Sequence, residues 1–269
     1  MSETISSKTY IDAHCHLADP KFGSDLDNVL TSSIQSGVGE WIQGGISPDD
    51  WLRQQEIRKL WPTRIHLAFG LHPWWIAQHS DEEVESGFQK LTRDLGQATL
   101  LGELGLDYLP RFATSKERQI RFFEKQLDLN QTHQKPLVLH VVHAHSDSLR
   151  ILEEKGETWR GLVHAFSEGK EIAKRYLDLG LFISVGGACT RIGFNRLKES
   201  LHFIPDDRLV IETDAPDQTP EVGGLTRANR NEPRYLLAIA AQVAQIKKTS
   251  PEAVLDQSRR NLKSLLVAR

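Results

Sequence analysis

Eight short β-rich runs recur along this 269-residue chain, and five of them stop on a histidine, glutamate or aspartate. They cover residues 10–13, 40–44, 65–70, 99–102, 137–140, 161–164, 181–185 and 209–213. Several are near-continuous apolar runs without clean alternation, as parallel strands buried on both faces require. The stretches between them read as helices. Residues 24–36 form one, stopped by Gly37, and 115–131 another, with Ile120, Phe123 and Leu127 at helical spacing. Residues 147–155 and 171–179 behave alike. A long polar loop, 215–232, precedes helices over 233–248 and 251–266, the last starting at Ser250 with Pro251 in the first helical position. Eight strand–helix units in about 250 residues are the arithmetic of a (β/α)8 TIM-type barrel. A doubly wound open sheet is the alternative, but no GxGxxG or Walker-type turn supports it. No linker divides the chain, so residues 1–269 are expected to form a single barrel domain.

Composition narrows the function. Hydrophobic residues make up 39% and charged residues 26%, enough for a large core. A net charge of -3 argues against a protein that coats nucleic acid. No apolar run reaches membrane-helix length, the N-terminus has no signal-type apolar core, and two cysteines make no disulfide framework. The expectation is a cytoplasmic protein with no membrane contact and no obligate protein partner.

Chemistry in such a barrel sits at the C-terminal ends of the strands. There the sequence puts His14 and His16, Glu103, His140, His164 and Asp214. Side chains two apart on a strand point the same way, so His14 and His16 can grip one cation. Asp12 can stand behind them as a buried supporting partner. Glu103 follows the apolar pair Leu100-Leu101, where an unpaired carboxylate is costly. Each residue alone also has a bland reading as a strand-edge, loop or capping residue. Together, converging on one barrel mouth, they suit Zn, Mn, Ni, Co or Fe. They exceed what one tetrahedral ion needs, so two metals bridged by a carboxylate are plausible.

The sequence resembles the TatD-type metal-dependent hydrolases, a branch of the amidohydrolase-like barrels. The resemblance rests on Ile11-Asp12-Ala13-His14-Cys15-His16-Leu17, Gly70-Leu71-His72-Pro73, Gly102-Glu103-Leu104-Gly105-Leu106-Asp107-Tyr108, Pro136-Leu137-Val138-Leu139-His140, His164-Ala165-Phe166-Ser167, Glu212-Thr213-Asp214-Ala215-Pro216 and Arg230-Asn231-Glu232-Pro233, which span nearly the whole chain. It implies a metal-dependent DNase or phosphodiesterase with two divalent ions per chain (Zn, Mg, Mn, Ni or Co) and DNA or another phosphoester as substrate. By motif position it implies that His14 and His16 hold one metal, Glu103 bridges two, and His140 and His164 hold the second. Asp214 completes the first and handles the proton of the attacking water. Asp214 and Glu103 are thus the expected catalytic residues, and His72 is expected to line the mouth and contact substrate.

One departure stands out. The family usually carries an arginine shortly after the strand-five histidine, where this chain has Val142 in His140-Val141-Val142-His143-Ala144-His145. His143 or His145 can substitute, or can be plain loop residues. Glu168 adds a negative charge where the family has a Ser-Gly pair. Trp74, with Trp75, either stacks a base from a rim loop or packs that loop. Arg191 and Arg227 either face phosphate or are solvated. Cys15 and Cys189 are expected to be packed and inert. The departure at Val142 keeps a second activity open: hydrolysis of a carboxylic ester or amide, including deacylation of aminoacyl-tRNA. A metal-binding scaffold without catalysis is the third reading.

Overall fold

The structure, a computed structural model, describes residues 9–267. Among them nine strands run in one direction: β1 (Tyr10–Cys15), β2 (Val38–Gln43), β3 (Ile65–His66), β4 (Ala68–Phe69), β5 (Leu100–Asp107), β6 (Leu137–Val142), β7 (Gly161–Val163), β8 (Phe182–Val185) and β9 (Leu209–Ile211). The pairing order is β1-β2-β3 and β4-β5-β6-β7-β8-β9. Only Leu67 separates β3 from β4, so the expected third run, 65–70, is one strand position broken in its middle. Eight strand positions result.

The seam between β9 and β1 is closed just past the strand ends. Asp214 N–H donates to His14 O (2.9 Å) and His16 N–H to Ala215 O (2.7 Å). One apolar cluster draws Ile11 and Ala13 from β1, Ile42 from β2, Ala68 from β4, Leu100 from β5, Val138 from β6, Leu162 from β7, Phe182 from β8 and Val210 from β9. Strands meeting in one cluster from all the way round are what a (β/α)8 barrel produces. Leu262 and Leu265 of the helix Pro251–Leu266 join that cluster and plug the barrel beneath the strand starts. Asn261 fixes this helix by donating to Leu209 O (2.8 Å). The helix begins where the sequence predicts, with Pro251 in its first turn and Ser250 Oγ accepting from Ala253 N.

Two strands outrun their expected ends. β5 continues through Glu103 to Asp107, all eight residues buried, so Glu103 lies inside a strand rather than at its tip. β6 runs two residues past His140. Helices at Pro48–Leu60, Asp81–Asp94 and Asn195–Phe203 fill intervals left unassigned by periodicity. Ser47 caps the first of these and a Ser80–Glu83 capping box opens the second. Trp74 and Trp75 belong to the short helix Pro73–Gln78, not to a rim loop, because His72 caps it and Pro73 starts it. No helix among the described residues is long and apolar enough to cross a membrane.

The plug gives a direct test. Leu262→Ala should cost about 2–5 kcal/mol by leaving a cavity at the barrel floor. Urea unfolding followed by circular dichroism measures it, and a loss well under 1 kcal/mol would contradict the assigned packing.

Candidate metal centre

The centre is organised around Glu103. In the β5–β6 ladder Gly102 pairs with Val138 and Leu104 with Leu139, so Glu103 is an extra, bulged residue. Bulges re-aim side chains. Glu103 N–H turns instead to Gly45 O (2.8 Å), while Gly45 N–H donates to Gly102 O (3.2 Å). The residue is fully buried, and the groups facing its carboxylate oxygens are histidine rings.

The two oxygens face different nitrogens. Glu103 Oε1 lies 3.5 Å from His14 Nε2 and 3.3 Å from His16 Nε2. Asp214 Oδ1 lies 3.6 and 3.4 Å from the same two nitrogens, which are 3.2 Å from each other. Glu103 Oε2 lies 2.8 Å from His164 Nε2, 3.4 Å from His140 Nδ1 and 3.6 Å from His72 Nε2. The barrel thus brings all six expected ligand residues, with His72, into one buried cluster. Lone-pair atoms spaced like this fit a cation: tetrahedral bonds of about 2.0–2.1 Å put ligand atoms roughly 3.3–3.4 Å apart. The donors form three sets within ligating reach, His14/His16/Asp214, His14/Glu103/His164 and His72/Glu103/His140.

Supporting contacts decide which ring nitrogen is free. His140 turns Nε2 to Asp107 Oδ2 (3.3 Å), leaving Nδ1 for the cluster. Asp107 Oδ2 also accepts from Trp74 Nε1 (2.5 Å). Glu212, fully buried, faces His164 Nδ1 at 3.7 Å and is held by Ala165 N (2.6 Å) and Ser184 Oγ. His72 differs. Its Nδ1 accepts from Trp74 N (3.0 Å), so the neutral ring carries its proton on Nε2. Burial, with His140 nearby, holds its pKa well below the ordinary imidazole range, so the ring stays neutral. A protonated Nε2 donates and does not ligate, which suits His72 for an oxygen of a substrate. Asp12 touches no imidazole ring. Its carboxylate takes Thr213 N (2.8 Å), Thr213 Oγ1 (2.5 Å) and His14 N (3.3 Å), pinning the β1 and β9 ends together.

The electrostatics favour ionised carboxylates. Burial works to raise both acids, but the surrounding imidazoles prevail: Glu103 falls well below its usual range, and Asp214, beside His16, is lowered. The cluster opens into a cleft of about 520 Å³, whose walls include Trp74, Val142, His143, His145, Glu168, Arg191 and Asp217. Trp74 has one ring face stacked at 6.1 Å on Phe112 and its N–H committed to Asp107. His145 is not a solvated loop residue: Nδ1 meets Tyr176 Oη at 3.0 Å, and burial, aided by His143, pushes its pKa down to about 4. Arg227 is exposed and bound to Glu221 (2.5 Å). Cys15 and Cys189 are buried, and burial raises both thiols.

Two features escaped the sequence. Gly44 is one: a Cβ there would lie 2.5 Å from both His14 Cε1 and His16 Cε1 and 2.6 Å from Glu103 Oε1. Glu212 is the other, although a carboxylate ending the apolar run Leu209-Val210-Ile211 was a usable signal.

The model of the TatD related DNase family matches residues 11–267. YjjV of Escherichia coli K12, described as an uncharacterized metal-dependent hydrolase, is 32% identical over 226 residues, covering 83% of this chain and 85% of that protein. YabD of Bacillus subtilis 168, described in the same terms, is 29% identical over 255 residues, covering 94% and 97%. The solved structure of E. coli YjjV, a TatD homologue, matches with a TM-score of 0.84 at 28% identity, covering 95% of this chain and 97% of that one.

Gly44→Ala tests the cradle. The fold should persist by circular dichroism while affinity for Zn or Mn, measured by calorimetry, falls by about tenfold or more. Unchanged affinity would show that the close approach of Gly44 to His14 and His16 is not needed for metal.

Proposed function

The chain belongs to the TatD related DNase family of metal-dependent hydrolases, and we propose that it hydrolyses phosphoesters, as a deoxyribonuclease or related phosphodiesterase. The observation that carries the reading is Glu103, a buried carboxylate whose two oxygens face two separate imidazole groups. Divalent ions would be held on its two sides, one by Glu103 with His14, His16 and Asp214, the other by Glu103 with His140 and His164. The nitrogen-and-carboxylate set suits Zn, Mn, Ni or Co, with Mg the least favoured because it prefers oxygen ligands. Such ions supply, when bound, acidification of water and Lewis-acid polarisation of the ester.

The protein's own groups do the rest. Asp214 remains ionised in its buried place beside His16 and accepts the proton of the attacking water. The new bond joins the water oxygen to phosphorus, the bond to the leaving oxygen breaks, and the proton held on Asp214 passes to that leaving oxygen. His72 offers its Nε2 proton to an oxygen of the bound ester. Asp107 and Glu212 keep His140 and His164 turned so that one nitrogen of each faces Glu103. Most of these groups are buried, which strengthens each contact between them.

Val142 supports a second reading. It stands on the cleft wall where the family resemblance expects arginine, which favours hydrolysis of a carboxylic ester or amide, aminoacyl-tRNA among them. The same water chemistry serves attack on carbon.

Metal-loaded protein should cleave bis-p-nitrophenyl phosphate and DNA, EDTA should abolish this, and Asp214→Asn should lower kcat by about 10²–10⁴-fold. Full activity and full metal content in Asp214→Asn would remove the role given to it. A preference of several orders of magnitude for carboxyl esters in the same panel would move the assignment to the second reading.

A further inference from the structure

Arg191 is the one lysine or arginine among the residues lining the cleft. Its side chain is 12% exposed, and its Nε is buried without a hydrogen bond. The facing carboxylate, Glu221 Oε1, lies 3.8 Å from that nitrogen, beyond hydrogen-bond reach, and is already taken by Arg227 Nε at 2.5 Å. A guanidinium held this way is costly unless something else pairs with it. Its backbone is fixed on both sides: Arg191 N–H donates to Ala188 O (3.1 Å), and Lys198 Nζ donates to Arg191 O (2.9 Å). The next loop is tied in through Glu221 N, which donates to Thr190 Oγ1 (2.8 Å). The Phe194 ring, 5.9 Å from Cζ, backs the guanidinium. The remaining charges on the cleft wall are unlike it. Asp19, Glu168 and Asp217 line the same cleft, Asp217 paired with Lys21 Nζ at 2.6 Å, and Val142 puts an apolar side chain there.

We propose that Arg191 seats the phosphate of a short substrate, one phosphate at a time, rather than helping to grip a long polyanion. This rests on the phosphoester reading above. A strand with a phosphate at every nucleotide would bring its neighbouring charges toward Asp19 and Glu168, whereas a single phosphate meets the guanidinium and the metal cluster. The planar fork of arginine suits phosphate oxygens.

The experiment uses metal-loaded wild-type protein, Arg191→Gln, Arg191→Lys and Glu221→Gln, with metal content checked in each. Inorganic phosphate is the probe, read as competitive inhibition of bis-p-nitrophenyl phosphate hydrolysis. Arg191→Gln should raise both the inhibition constant and KM by roughly 10–100-fold with kcat changed far less. Arg191→Lys should recover part of the loss, and Glu221→Gln should shift the inhibition constant the opposite way by removing an opposing charge. Lengthening a DNA substrate from two to twenty nucleotides should lower KM by no more than about threefold, against the steep gain that a multi-phosphate grip produces. Unchanged inhibition and KM in Arg191→Gln, or a KM that falls by tens of fold with length, would overturn the proposal while leaving phosphoester hydrolysis intact. If wild-type protein cleaves carboxyl esters alone, the phosphoester reading fails and the phosphate assignment falls with it.

Discussion

The structure turns on one carboxylate. Glu103 is fully buried in a barrel whose strands are apolar, and histidine ring nitrogens face both of its oxygens. A carboxylate charge in such a place costs several kcal/mol unless it is balanced by positive partners. The imidazoles around it are lone-pair donors as much as proton carriers, so they balance the charge fully only through protons or cations set between them. The local backbone is shaped to keep that space open. The bulge in β5 turns Glu103 away from the regular ladder, and Gly45 reaches across to take the hydrogen bonds the ladder gives up. A side chain on Gly45 would meet Ala68 O at 2.2 Å, and one on Gly44 would fill the gap among His14, His16 and Glu103. Geometry, charge and glycine placement therefore all serve the same small volume.

Much of this was legible in the sequence because barrels put chemistry at strand ends. His14, His16, His140, His164 and Asp214 each follow an apolar run, and the fold gathers them as that rule requires. Glu103 was found by its residue type but misplaced by its position, because a bulge leaves no mark in an apolar–polar pattern and β5 reads on smoothly through Leu104 and Leu106. The break at Leu67 was invisible for the same reason: Leu67, Ala68 and Phe69 run on as apolar residues without interruption. Gly44-Gly45 reads as a turn until one knows what stands opposite. Trp74 lines the cleft, but from a helix that Pro73 starts rather than from a loop, and that helix turns its indole N–H onto Asp107. Periodicity reports which face of an element is buried; it does not report which distant carboxylate that face will meet.

Hydrogen bonding divides the histidines into roles that their names alone do not give. His72 Nε2 and His140 Nδ1 lie 3.2 Å apart, yet the two nitrogens differ in kind. His140 gives its Nε2 to a carboxylate, so Nδ1 presents a lone pair. His72 uses Nδ1 to accept from the backbone of its own helix start, so Nε2 presents a proton. The centre therefore has one wall of lone pairs and one donor directed into the same space. That asymmetry is what a hydrolytic site needs: ligands for cations on one side and a hydrogen-bond donor for an ester oxygen on the other.

The closing of the barrel and the assembly of the site are the same event. His14, His16 and Asp214 all stand on the seam between the first and last strands. The seam is held by His14 O and His16 N of the very residues whose side chains face the candidate cation, together with the Asp12–Thr213 clamp beneath them. A chain whose ends have not met cannot offer this ligand set, because Asp214 is 200 residues from His14 in sequence. Anything that binds the assembled set but not the open chain stabilises the closed barrel by mass action. Cation binding at the centre is thus thermodynamically linked to the integrity of the seam, and the residues that carry the chemistry are the ones that complete the fold.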